Sequence, residues 1–265
     1  MNLPERPIAF TLASTNHGTM LVNRFDSIMG FHGAPYGVCC DLLEKSCFDP
    51  QEINNTLILL QERRKHFGDG LVTVDCGANV GVHTIEWAKL MHGWGTVLGI
   101  EAQERIFYAL AGNVTINNCF NAKVINAAIG YKVGTINIPV PNYFKNSSFG
   151  SLELQKKEQN EGIGQEIDYS PEYTVPIALI SLDSICTQNT RLDLVKIDIE
   201  GMEMQALEGG KESIERFKPI LIVENLKLNK EELNNWLTSR NYKTYNFGNN
   251  TLGIHESDPT WKMIS

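Results

Sequence analysis

The segment Leu71 to Lys89, LVTVDCGANVGVHTIEWAK, constrains the fold more than any other stretch. Leu71, Val72 and Val74 form a short apolar run, and β-branched Thr73 suits the same strand. Asp75 closes the run, and Gly77 and Gly81 permit a tight turn with close backbone approach to a ligand. Val82, Ile85 and Ala88 then recur at helical spacing. The change of period from two to 3.6 marks a βα unit of a parallel sheet, where ligands bind at the carboxyl ends of strands. The order D-C-G-A-N-V-G is not the G-x-G-x-x-G of a dinucleotide site. An acid before the first glycine repels a pyrophosphate and suits a cationic or hydroxyl-bearing ligand. A tight turn without a ligand is the plainer alternative.

The remaining elements extend this unit. Asp49 is placed to cap a helix with Pro50 at its first position and Ile53, Leu57, Leu60 and Arg64 following. A second strand, Thr96 to Ile100, leads into Glu101, 26 residues after Asp75, where such folds place an acid on ribose hydroxyls. A helix over roughly 103–117 has Ile106, Leu110, Val114 and Ile116 or Asn117 as its expected inner face. A third strand spans about Ala122 to Ala128. Between residues 131 and 193, Thr135 to Val140 and Tyr173 to Ser181 alternate like two extra strands. The polar run between them, near 155–170, reads as a mobile loop, and Asn146, Ser147 and Ser148 before it are candidates for a pocket wall. A short helix over 182–189 precedes strands at Leu192 to Ile197 and Ile220 to Val223. A helix over 230–238 and strands over 242–247 and 251–255, joined by a GNN turn, close the chain. The expected fold is a three-layer α/β domain with an open sheet. Residues 1–68 form an N-terminal extension, and 69–265 a core domain with an inserted segment at 131–181. Residues 1 to about 45 suggest short strands and turns, and YGVCCDLLEKSCF a strand or a lid.

The 265 residues, 42% hydrophobic, suffice for one large domain. A formal net charge of −8 and no basic stripe argue against a general nucleic-acid binder. Six cysteines form no C-x-x-C pair and are read as reduced thiols of a cytoplasmic protein. The opening MNLPERPIAF has no apolar run of signal or membrane length. A homo-oligomer remains compatible with the extra strands.

Four strands end in acids: Asp75, Glu101, Asp198 and Glu224, with Glu200 and Glu203 just beyond the fourth. Such clustering is costly unless the carboxylates meet a cation or polar ligand groups. No histidine stands at ligand spacing, so zinc is disfavoured. Asp198, Glu200 and Glu224 are candidates for magnesium or calcium, which take oxygen ligands.

With V-D-C-G-A-N-V-G, I-E-A-Q, N-A-A-I-G, S-L-D-S-I, K-P-I-L-I-V-E-N and above all V-K-I-D-I-E-G-M-E-M-Q-A-L-E-G-G (195–210), the chain resembles the FkbM family of S-adenosylmethionine-dependent methyltransferases. The resemblance covers about residues 50–225, with Met202 standing where the family often carries histidine or a small residue. It implies the class I methyltransferase (Rossmann-like) fold, a seven-stranded sheet of order 3-2-1-4-5-7-6. It implies that Asp75, Gly77 and Gly81 cradle the methionine part of S-adenosylmethionine and that Asn79 steadies the turn. Glu101 would hold the ribose, and Asn126, Ala127 and Ala128 would face the adenine. The implied acceptors are hydroxyls of sugars, glycans, polyketides and similar small metabolites.

A sulfonium methyl is already a strong electrophile, so the protein's task is to align an acceptor oxygen behind it and receive a proton. Asp198 is the first candidate for that proton, then Glu200. Glu224 is better placed to bind the acceptor or a metal, and His83, after the glycine turn, is a third candidate alongside a packing or capping role. A nicotinamide-dependent oxidoreductase has the wrong glycine signature. A non-catalytic scaffold keeping a cofactor pocket is the other alternative. A nucleic-acid methyltransferase would need an aromatic-proline motif or a basic face.

Overall fold

The computed structural model describes residues 6–30, 33–186 and 191–263. The chain begins with the hairpin β1 (Phe10–Thr15) and β2 (Gly18–Asn23), the short pair β3 (Ile28–Met29) and β4 (Pro35–Tyr36), and helices α1 (Val38–Lys45) and α2 (Pro50–Phe67). The core follows: β5 (Leu71–Cys76), α3 (Val82–Leu90), β6 (Gly95–Glu101), α4 (Glu104–Ile116) and β7 (Ala122–Asn126). An inserted sheet is formed by β8 (Ala128–Ile129), β9 (Gly134–Pro139) and β10 (Thr174–Ile180). The chain returns through α5 (Leu182–Cys186), β11 (Leu194–Ile197), α6 (Glu203–Glu208), α7 (Lys211–Phe217), β12 (Ile220–Glu224), α8 (Lys230–Thr238), β13 (Tyr242–Phe247) and β14 (Asn250–His255).

Seven strands form one sheet in the order β13-β14-β12-β11-β5-β6-β7. Numbered within the sheet, this is the expected 3-2-1-4-5-7-6. Strands β7, β6, β5, β11 and β12 run parallel, and β14 lies antiparallel to both neighbours. The parallel strands are buried on both faces, so they read as continuous apolar runs rather than alternating ones. Two apolar clusters cover those faces. One gathers Trp87, Ile85 and Leu110 with Leu60 of α2, the other Val195, Ile197, Leu207 and Trp236.

The described residues before β5 are stapled to this core. Arg63 of α2 is buried, reaches Asp193 (Nε–Oδ1 3.1 Å) and Asp258, and Arg191 grips the same Asp193. Asp49 caps α2, its carboxylate receiving the Glu52 N–H, with Pro50 at the first turn. Buried Asp26 receives the N–H of Cys39 (2.8 Å) and of Phe149 (3.0 Å), tying the start of α1 to the inserted segment.

Three local expectations need correction, and the polar run near 155–170 makes defined contacts. Residues 38–45 form a helix rather than a strand or lid, because Cys39 and Leu42 fall on one buried helical face. Ile116 is exposed on α4, since its inner row is Ile106, Leu110 and Val114. The third core strand stops at Asn126, whose amide donates to the carbonyls of Glu101 (2.8 Å) and Ala102 (3.0 Å), and β8 turns away to pair with β10. The polar run near 155–170 is anchored: Ile163 is buried, its carbonyl receives the Ser148 N–H, and Tyr169 donates to the Glu153 carbonyl at 2.9 Å.

Candidate active site

The turn after β5 is shaped by close backbone approach. Gly77 (φ +80°) abuts the Asp198 carbonyl oxygen, so any Cβ there collides with the strand-end backbone. Gly81 (φ +96°) starts α3, where a Cβ would strike Leu110. Asp75 lies inside the strand, buried, with Oδ2 receiving the Thr84 hydroxyl at 2.7 Å and Oδ1 unpartnered.

A single cavity of about 320 Å³ opens over the carboxyl ends of the central strands, in the size range of small-molecule sites. One end is lined by Gly77, Ala78, Asn79, Glu101, Gln103, Ala127, Ala128 and Gly150. There the Glu101 carboxylate receives two backbone N–H groups, Asn79 at 3.0 Å and Gln103 at 2.8 Å. Burial raises its pKa to about 7, against the lowering effect of those bonds. Gln103 is fixed in turn, donating to the Phe149 carbonyl at 2.8 Å.

The other end is lined by Asp49, Glu52, His83, Lys196, Asp198, Glu200, Glu224 and Asn250. Lys196 is buried in β11 and donates to Asp198 Oδ2 at 2.7 Å. Burial works against its charge, but Asp198, Asp75 and Glu52 outweigh burial and hold it protonated. Glu200 (φ +59°) pairs with Lys227, which also reaches Glu161 at 2.9 Å. Glu224 is nine-tenths buried, and its Oε2 has no partner. Burial, then Asp198, Glu200 and Glu203, raise its pKa well above the carboxylate range. Oxygens of Asp198, Glu200 and Glu224 lie within 4.8 Å of one another.

Eight of the eleven residues singled out from sequence therefore line one cavity: Gly77, Asn79, Glu101, Ala127, Ala128, Asp198, Glu200 and Glu224. Asp75, Gly81 and Asn126 shape the backbone beneath it instead. Ser148 is at the wall, whereas Ser147 is bonded to Gln165 and Asn146 is exposed.

Sequence reasoning overlooked Glu52, Lys196, Gln103 and Asn250. Lys196 alone left a signal, a cation inside the apolar strand LVKI. Gln103 closes I-E-A-Q, where attention went to the acid, and Glu52 and Asn250 come from segments with no motif of their own.

The sequence model of the methyltransferase FkbM domain matches residues 75–244. The chain belongs to the FkbM methyltransferase family. Members of this family are S-adenosylmethionine-dependent methyltransferases, and the seven-stranded sheet is that of the class I fold. A curated relative, "Methyltransferase 1" of Beauveria bassiana, is 24% identical over 150 residues, covering 54% of this chain and 59% of its own. Among solved structures, a methyltransferase FkbM from Methylobacillus flagellatus is similar at 19% identity and TM-score 0.49, over 73% of this chain and 48% of that one. A precorrin-6y C5,15-methyltransferase from Geobacter metallireducens is similar at 14% identity and TM-score 0.43, over 78% and 88% of the two chains. The chain thus spans about half the length of the solved FkbM relative and under two thirds of the curated one. Glu52 of α2 and Asn250 of β14 lie outside the FkbM match.

Proposed function

We propose that this protein is an O-methyltransferase that moves the methyl group of S-adenosylmethionine to a hydroxyl of a sugar, glycan or similar small metabolite. The observation that carries the reading is one cavity with the Glu101 carboxylate at one end and a carboxylate- and amide-rich chamber at the other. The residues fit the cofactor. Glu101 keeps lone pairs for two ribose hydroxyls after receiving the Asn79 and Gln103 N–H groups. Gly77 and Ala78 leave backbone surface open for the methionine part, and Ala127 and Ala128 present small apolar faces for the adenine. When bound, S-adenosylmethionine supplies an electrophilic methyl carbon. Asp198, Glu200 and Glu224 orient the acceptor: Asp198 and Glu200 accept from hydroxyls, while Glu224, retaining its proton, donates. Alignment then contributes most of the rate enhancement.

The test is transfer of labelled methyl from S-adenosylmethionine to a panel of methyl glycosides and polyols, read by mass spectrometry. Methyl ethers on one stereochemical class are the expected result. Transfer to thiols or amines alone contradicts the reading.

The close approach of the three carboxylates also favours a hard divalent cation at the acceptor end. Millimolar Mg²⁺ or Ca²⁺ is then expected to raise the Tm of wild type and not of Glu224→Gln. Equal effects on both exclude the cation.

A further inference from the structure

Helices α2 and α3 meet through two rungs, each one helical turn from the next. In one, Trp87 Nε1 donates to Thr56 Oγ1 at 2.9 Å. In the other, four residues earlier on both helices, His83 Nε2 lies 3.1 Å from Glu52 Oε1. The two rungs match because residues four apart share one helix face. The first is buried structure, but the second opens into the cavity, which both Glu52 and His83 line.

Glu52 is held from its other side. Its Oε2 receives the Asn250 amide at 2.8 Å, and Asn250 pairs with Glu224 across β14 and β12. The His83 ring is braced edge-on by Trp87, centroids 5.5 Å apart. The sequence Asn250–Glu52–His83 is therefore a carboxylate-backed imidazole, oriented by a third group and facing a cavity. The His83–Glu52 approach is off the hydrogen-bond line, as in many catalytic pairs before substrate binds.

The two carboxylates placed to accept from the acceptor hydroxyl each carry a lysine already and are the weaker candidates for its proton. Asp198 is bound by Lys196 and Glu200 by Lys227. A cation on these carboxylates would occupy them equally. Resting on the methyltransferase reading above, we propose that His83 is the catalytic base for the acceptor hydroxyl and that Glu52 is its positioning residue. With the ring proton on Nε2, the nitrogen beside Glu52, the ring keeps its lone pair on Nδ1. As the hydroxyl oxygen bonds to the methyl carbon, the C–S electron pair remains on sulfur. The hydroxyl proton passes to Nδ1, and the imidazolium rests against Glu52. The charged groups that share this end of the cavity wall with the ring are Asp49 at the cap of α2, Glu52 on α2, and Lys196, Asp198, Glu200 and Glu224 from the sheet side.

Two measurements on the full chain test this. The first is ¹⁵N NMR of the neutral histidine rings at high pH, with S-adenosylhomocysteine bound and His83 assigned by His83→Gln. The expected signature is an Nε2–H tautomer at His83 that becomes mixed in Glu52→Ala. An Nδ1–H tautomer, or a spectrum unmoved by Glu52→Ala, overturns the proposal whatever the acceptor. The second is labelled methyl transfer to the methyl glycoside that wild type accepts. His83→Gln should lose about 10²–10⁴-fold in kcat, with KM for S-adenosylmethionine changed less than threefold and the acid limb of the pH profile gone. A kcat within threefold of wild type also overturns it. Absence of turnover by wild type counts against the O-methyltransferase reading, and the tautomer spectrum still decides the dyad.

Discussion

The two ends of the cavity are built in different ways. The Glu101 end comes from the segments that follow three successive parallel strands: 77–79 after β5, 101–103 at the end of β6, and 127–128 between β7 and β8. Glu101 there is held by backbone N–H groups, that of Gln103 two residues on and that of Asn79 from the neighbouring turn. The Glu224 end is assembled over long separations, with Glu52 meeting Asn250 across 198 residues. Its carboxylates are balanced by the side chains Lys196 and Lys227, not by backbone N–H groups. A turn anchored on its own backbone holds one ligand chemistry, while a chamber of side chains can be re-cut for different acceptors without disturbing the first.

Substitutions should separate the two ends. Gly77→Ala is expected to have the largest effect, because its Cβ meets the Asp198 carbonyl and a φ of +80° strains any side chain. Loss of detectable S-adenosylhomocysteine binding, with a Tm lower than wild type, is the outcome to look for by calorimetry and thermal melts. Next, Arg63→Ala leaves Asp258 buried without its cation and Asp193 with Arg191 alone. A cost of about 3–5 kcal/mol is expected in denaturant titrations. Because α2 carries Glu52, the surviving folded protein should lose acceptor turnover more than cofactor affinity.

A smaller effect concerns pH. If the ionised Glu101, with its pKa raised to about 7, is the form that binds the ribose, affinity for S-adenosylhomocysteine should rise about tenfold from pH 6 to 8. Glu101→Gln should bind weakly with a flat profile over that range. The smallest effect on the cofactor is expected from Glu224→Gln, within about twofold. Its Tm should exceed wild type, more so at pH 8 than at pH 6. The sign follows from the raised pKa: folded Glu224 retains a proton that the unfolded chain releases, so wild type loses stability as pH rises. A Tm gain that shrinks with pH contradicts this.

The same contrast explains what the sequence made legible. The change of period at Asp75–Val82, the acid after each parallel strand and the two alternating runs around the polar loop are local patterns. They were enough for the parallel core strands and the inserted strands, whereas the sheet order came from the resemblance to the FkbM family. Asn126, which the resemblance implies faces the adenine, also uses its amide to clamp the Glu101 and Ala102 carbonyls, a role no local pattern announces. Glu52 was illegible because its helix carries only a packing pattern, and its partners His83 and Asn250 come from distant elements. Residues 38–45 were misread because glycines and a proline on one side masked a short helical face.

The most direct test of the central claim is calorimetric titration of S-adenosylmethionine and S-adenosylhomocysteine into wild type and Glu101→Ala. Two charge-assisted hydrogen bonds to a ribose amount to roughly 3 kcal/mol or more, so the variant should bind about 100-fold more weakly or not measurably. Equal binding by both proteins, or none by folded, ligand-free wild type, would contradict the assignment of this cavity to the cofactor.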